Sequence, residues 1–282
     1  MVANREFDSV MFKPGIIDFA AGTPWNVATA VYASLSISVS AQSYSPLGVA
    51  FSSDGTKMYI IDDGGDCVYQ YTLSTAWNVS TAVYASLSKS VSAQSGNPTG
   101  VAFSSDGTKM YIMDNGGDCV YQYTLSTAWN VSTAVYASLS ISFSAQSNYS
   151  WGVAFSSDGT KMYIVDNHFR VVFQYTLSTA WNVSTASYAS LSVSVNSQSY
   201  SPLGVEFSSD GTKMYIVDNS SRVVFQYTLS TAWNVSTASY ASLSKSVSAQ
   251  SGNPTGVAFS SDGTKMYIMD NGSQTVYQYT MH

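Results

Sequence analysis

Hydrophobic and polar positions along this chain follow a pattern that returns every 52 residues. Within one period, four short runs alternate apolar with polar side chains and are rich in β-branched and aromatic residues. In the first complete period they lie at 48–51, 58–61, 68–73 and 82–87. Each run has strand length and turn residues separate them, so the pattern predicts four β-strands per period and no long helix. Gly48, Gly100, Gly152, Gly204 and Gly256 open the first run of each period. Trp25, Trp77, Trp129, Trp181 and Trp233 each open a Trp-Asn-Val segment. A fixed period of this length marks a repeat architecture.

The turns fix how the strands connect. Ser-Ser-Asp-Gly-Thr at 52–56 joins the first two strands, with Gly55 free to turn left-handed and Asp54 placed to accept from nearby backbone N–H groups. A second tight link follows at 62–66, and a longer Ser-Thr-Ala-Trp-Asn-Val-Ser-Thr link precedes the fourth strand. A four-stranded sheet apolar on both faces has to be covered on both faces, which face-to-face stacking around an axis achieves. The expected fold is therefore all-β: a five-bladed β-propeller with four antiparallel strands per blade. Five periods fill residues 23–282 and leave residues 1–22 as an extension. Because the periods start within the link before the fourth strand, residues 30–36 are expected to close the ring as the outermost strand of the last blade, paired with 276–280.

The hairpin AFSSDGTKMYIVD, followed by VFQYTL, resembles bacterial and phage propeller repeats of the F-S-x-D-G-x-x-x-Y type over residues 23–282. That resemblance implies the fold and leaves function open, since propellers host enzymes, lectins and scaffolds. Residues 7–15, Phe-Asp-Ser-Val-Met-Phe-Lys-Pro-Gly, resemble N-terminal segments of phage tail proteins.

Composition narrows the partners. Charged residues make up 10% of the chain and aromatic ones 14%, with a net charge of −6. The surface must be largely Ser, Thr, Asn, Gln and Tyr. No Lys/Arg cluster is present to neutralise phosphates or anionic lipids, so nucleic acid and membrane insertion are not expected. No cofactor or metal site is expected. Cys67 and Cys119 hold the position where later repeats have Val171, Val223 and Thr275, which reads as a small strand hydrophobe rather than a disulfide or zinc ligand. Asp62, Asp63 and Asp66 offer oxygens to a hard cation, but later repeats keep only the first of them, which favours a turn cap. The Asn78-Val79-Ser80 sequon and its three copies read as turn chemistry. No secretory leader is evident in the first residues.

Comparing the five copies with one another separates constant from variable positions. The first hairpin and the Ala-Trp-Asn-Val link hardly change. The segment before the first strand and the second link do change, and in an up-and-down blade both emerge on one end of the ring. Tyr44, Asn97, Tyr149, Trp151, His168, Arg170, Tyr200, Arg222 and Asn253 lie there. Exposed rings stack on sugar C–H groups while amides fix hydroxyls, so these residues suit a glycan or host receptor; alternatively they pack the neck between blades. The constant tryptophans read as packing between blades. In the extension, Phe7, Val10, Met11, Phe12, Ile16, Ile17 and Phe19 form an apolar set expected to anchor the ring on other proteins of an assembly, or to fold back on it.

The expectation from sequence is therefore a non-enzymatic binding module on a virion or extracellular surface, without a cleaved signal peptide. A structural scaffold is the alternative, and a glycoside hydrolase-like enzyme comes third. Acidic residues mostly repeat identically; Glu206 alone stands where the other copies have alanine.

Overall fold

Twenty strands form five four-stranded antiparallel sheets in the computed structural model, which describes residues 23–282. The extension, and with it the anchor residues Phe7, Val10, Met11, Phe12, Ile16, Ile17 and Phe19, lies outside the described residues. Strand β1 (Ala30–Ser38) comes first in the chain but belongs to the last sheet. The first blade is β2 (Pro46–Phe51), β3 (Lys57–Asp62), β4 (Cys67–Leu73) and β5 (Ala82–Ser90), in that order from the axis outward. Blades β6–β9 (98–142), β10–β13 (150–194) and β14–β17 (202–246) repeat it. The fifth blade joins β18 (Pro254–Phe259), β19 (Lys265–Asp270) and β20 (Thr275–Met281) to β1.

Closure follows the predicted scheme. Strand β1 runs antiparallel to β20 with Tyr32 opposite Tyr279 and Ile37 opposite Val276. A bulge between Tyr32 and Leu35, with Ser34 at φ 58°, recurs at Ser86, Ser138, Ser190 and Ser242 of the other outer strands. The ring thus has no sheet left incomplete by the chain's entry point.

The core consists of five apolar layers, each between two neighbouring sheets rather than within one. Between the fifth and first blades, Met58, Ile60 and Tyr71 face Tyr267, Met269 and Val276, all essentially inaccessible. Each layer is locked at one end by three aromatic rings. The Phe51 ring lies 4.3 Å from Tyr267 of the preceding blade, and Trp77 packs tilted against Phe51 at 5.5 Å and stacks on Tyr267 at 6.4 Å. Tyr267 donates its hydroxyl to the Trp77 carbonyl at 2.8 Å, and Gln278 accepts from the Val79 N–H at 3.0 Å. At the seam the same bonds hold the incoming chain: Tyr215 donates to the Trp25 carbonyl and Gln226 accepts from Val27 N–H.

The Asn-Val-Ser turns are built as expected. Asn78 Oδ1 accepts from the Ser80 N–H and hydroxyl, capping a single 3-10 turn. Asp62 ties the second link to the segment before β2, taking the Ser43 hydroxyl at 2.5 Å and the Ser45 N–H at 2.7 Å, while its other oxygen is buried without a partner; the link cap itself is seen in the next blade, where Asp114 accepts the Gly117 N–H at 2.7 Å. Both cysteines are free thiols at the starts of β4 and β8.

Gly107 and its four hairpin counterparts carry the sharpest local constraint. At Gly107 φ is 70°, and an added Cβ would stand 2.2 Å from the Trp129 indole. Replacing Gly107 with alanine strains the backbone and displaces the ring, with an expected loss on the order of 2–4 kcal/mol, read from the urea midpoint; an unchanged midpoint would show that the indole moves freely.

Candidate functional site

The innermost strands β2, β6, β10, β14 and β18 surround an axial channel. At their midpoint the side chain facing the axis is Ala50, Ala102, Ala154, Glu206 or Ala258. Four methyl groups leave space and the fifth position fills it with a carboxylate. The channel opens into a cavity of about 290 Å³ at the end that carries the hairpin turns, and into a much narrower one of about 40 Å³ at the end that carries the variable loops. Glu206 lines both. The narrow end is tight because backbones converge there: an added Cβ on Gly256 would meet the Leu47 carbonyl at 3.0 Å.

Besides Glu206, the wide cavity is walled by five phenylalanines, four of the link tryptophans, alanine, valine and serine. Ser52 and its counterparts are occupied, each giving its hydroxyl to a turn aspartate, as Ser52 does to Asp54 at 2.6 Å. That bond, with the Thr56 N–H, holds the Asp54 carboxyl down at about 2, so it stays anionic. The next serines, Ser53, Ser105, Ser157, Ser209 and Ser261, stand exposed at the rim.

Glu206 is different. Its Oε1 accepts the Phe207 N–H at 3.0 Å, while Oε2 has no protein donor among the described residues. The side chain is half-buried: channel space open at the hairpin end reaches it, while protein walls that space all round the axis and no cation of the described residues lines it. Desolvation therefore dominates over the single N–H bond and pushes the carboxyl up to about 7. A lone carboxyl titrating near neutrality can take a proton from water and return it to a leaving group. Among the described residues no three or more His, Cys, Asp and Glu side chains come together to hold a metal ion.

The nine variable-face residues lie elsewhere, and none lines either cavity. Tyr44 and Tyr200 are exposed, at 80% and 69%, while Tyr149 packs edge-on against Trp151 at 6.0 Å. His168 is exposed beside Phe169. The arginines are already engaged. Arg170 lies 3.9 Å over the Tyr200 ring and donates to the Tyr200 carbonyl and to Asn196, and Arg222 donates to the Gly252 carbonyl. Asn253 accepts from Asn219, and the Asn97 carbonyl accepts from the Asn115 N–H. Much of this face clasps one blade to the next.

No protein-family model matches the chain, and no curated protein matches it. Solved structures do. One, from Bacteroides uniformis and named a "putative 6-phosphogluconolactonase", aligns over 83% of this chain and 66% of its own at 13% identity, with a TM-score of 0.50. A similarly named protein from Bacteroides fragilis aligns over 72% and 55% at 14% identity, with a TM-score of 0.49. A luciferin-regenerating enzyme aligns over 89% and 95% at 12% identity, with a TM-score of 0.52. The chain thus spans less than two thirds of the length of the two Bacteroides proteins. At such identities the likeness establishes the propeller fold.

The expectation of a non-enzymatic glycan- or receptor-binding module is corrected. Two of these propellers, the Bacteroides uniformis protein and the luciferin-regenerating enzyme, carry enzyme names. In the sequence Glu206 is only an exception among alanines, because the channel and its apolar walls are not visible one strand at a time. The alternation of the inner strand, with Ala50 and its counterparts facing the axis, was the signal that locates it.

Two outcomes follow for stability. Glu206 ionises at a higher pH in the folded than in the unfolded chain, so its contribution is full below the ordinary glutamate range and is lost as pH rises through about 7. The melting temperature of Glu206→Ala, relative to the native protein, is therefore expected to climb between pH 5 and pH 8; parallel curves would show that the carboxyl is well solvated. At the first seam, Asp63 and Asp66 stand where other blades have Asn167 or Asn219 and Arg170 or Arg222. A carboxylate has no N–H to give the next loop, Asp66 Oδ1 is buried without a partner, and desolvation raises the Asp63 carboxyl, aided by its acidic neighbours. Asp66→Arg restores the clasp and should stabilise the ring by about 1 kcal/mol, read from denaturant unfolding.

Proposed function

We propose that the protein is a hydrolase of the ester or lactone class, working in its central channel with Glu206 as general base. The observation that carries this reading is that, among the described residues, Glu206 is the sole ionisable side chain lining the channel cavities, in a position where its carboxyl titrates near neutrality. The name of the similar Bacteroides uniformis propeller, "putative 6-phosphogluconolactonase", favours the same class. The repeat's resemblance to bacterial and phage propellers concerns the scaffold and adds nothing to the chemistry.

The step is balanced within the site. Glu206, ionised, accepts a proton from a water at Oε2 as the water oxygen bonds to the carbonyl carbon of the substrate. The tetrahedral intermediate then breaks its C–O bond to the alcohol, which takes the proton back from Glu206. A base of this kind contributes about 10²–10⁴-fold to the rate. The Ser53-type hydroxyls at the rim are free to bind polar groups of a substrate in the mouth, and the walls exclude bulk water from the reacting carbonyl.

Turnover of a panel of lactones and aryl esters tests the proposal. For any substrate accepted, kcat/KM should rise with pH through about 7 and level off above, because the reactive form is the carboxylate. Glu206→Gln should lose about 10²–10⁴-fold in kcat while keeping the fold. Equal turnover by the Gln variant, or a pH-independent rate, would refute the assignment.

A further inference from the structure

We infer that the channel admits uncharged substrates bearing an aromatic or aliphatic acyl group, through the wide mouth at the hairpin end, and turns away phosphorylated ones. This rests on the hydrolase reading for its chemistry, but the argument for what may enter is separate. Among the described residues no Lys, Arg or His lines either cavity. A phosphate monoester carries close to two negative charges at neutral pH, and taking it from water requires charge-assisted donors. The channel offers instead a carboxylate, whose reactive form is itself negative.

The surroundings do not make up the deficit. On the hairpins at the wide end, each aspartate such as Asp54 is matched by a lysine such as Lys57, five of each, so the rim has no positive excess. The two arginines of the described residues lie on the opposite face and are turned to loop carbonyls and to Tyr200. The wall is otherwise aromatic and aliphatic, which stabilises a flat apolar group by burial and ring contact. A volume of about 290 Å³ takes a small molecule rather than a polymer chain. The 40 Å³ constriction makes the hairpin end the entrance.

Two measurements separate this inference from the hydrolase reading. The first compares kcat/KM for dihydrocoumarin, an uncharged aromatic lactone, with that for 6-phosphogluconolactone. At least a hundredfold preference for dihydrocoumarin is expected. Equal or greater turnover of the phosphorylated lactone would overturn the inference while leaving the hydrolase reading intact. The second follows tryptophan fluorescence of the Glu206→Gln protein, since four indoles line the mouth. Saturable quenching by dihydrocoumarin, and none by 6-phosphogluconate, is expected whether or not the native protein turns either lactone over. If neither is turned over, that result upholds what the channel admits and removes the hydrolase reading; absence of saturable quenching by dihydrocoumarin overturns the inference.

Discussion

Every blade is held to the next by an indole seated on a glycine. The Trp77 backbone N–H donates to the Gly55 carbonyl at 2.9 Å, and the ring lies where any side chain on Gly55 would be. The tryptophan itself takes φ near 62°, a conformation unfavourable for a bulky residue, and does so in all five copies. What stabilises it comes from outside its own strand: the hairpin carbonyl of the same blade and the tyrosine hydroxyl of the preceding one. A single residue thereby ties a hairpin, a link and a neighbouring sheet together. At the ring's seam Trp25 does this for a segment that precedes the first blade in sequence.

Five-fold repetition limits where chemistry can reside. A residue present in all copies meets the same neighbours in each, and those neighbours turn out to be structural: Asp54 with Ser52 and Thr56, Gln278 with Val79, Asp62 with Ser43. Only a departure from the repeat can place a group in surroundings unlike those of its counterparts. Glu206 is such a departure at the channel midpoint, where the four alanines around it supply neither charge nor hydrogen bond. Its raised pKa follows from the symmetry of everything else.

Most of the fold was legible in the sequence because its determinants are local or periodic. The alternation of the strands, the glycine in the Ser-Ser-Asp-Gly-Thr turn and the offset of the first tryptophan together give the blade count, the strand order and the closing strand. The site was less legible. Arg170 and Arg222 looked like free recognition groups because their acceptors, Tyr200 and Gly252, come from the next blade 30 residues on. Glu206 looked like a minor exception because a strand read alone does not reveal that its neighbours across the axis are four alanines and five phenylalanines. Both points concern contacts between repeats, which periodicity cannot express.

The two ends of the ring consequently have different reasons for their sequences. At the hairpin end the tryptophans and phenylalanines lock the blades and also wall the cavity, so a change there alters both packing and the mouth. At the loop end the clasp is interchangeable. Arg170, Arg222 and Gln274 share a left-handed backbone position and each donates to a carbonyl of the following loop, whereas Asp118 at that position accepts the Ser150 hydroxyl instead. Different side chains meet the same need there, so the clasp tolerates variation at that position. Constancy at the cavity end thus follows from packing, and among the inner-strand positions facing the channel midpoint the one that packing does not account for is Glu206.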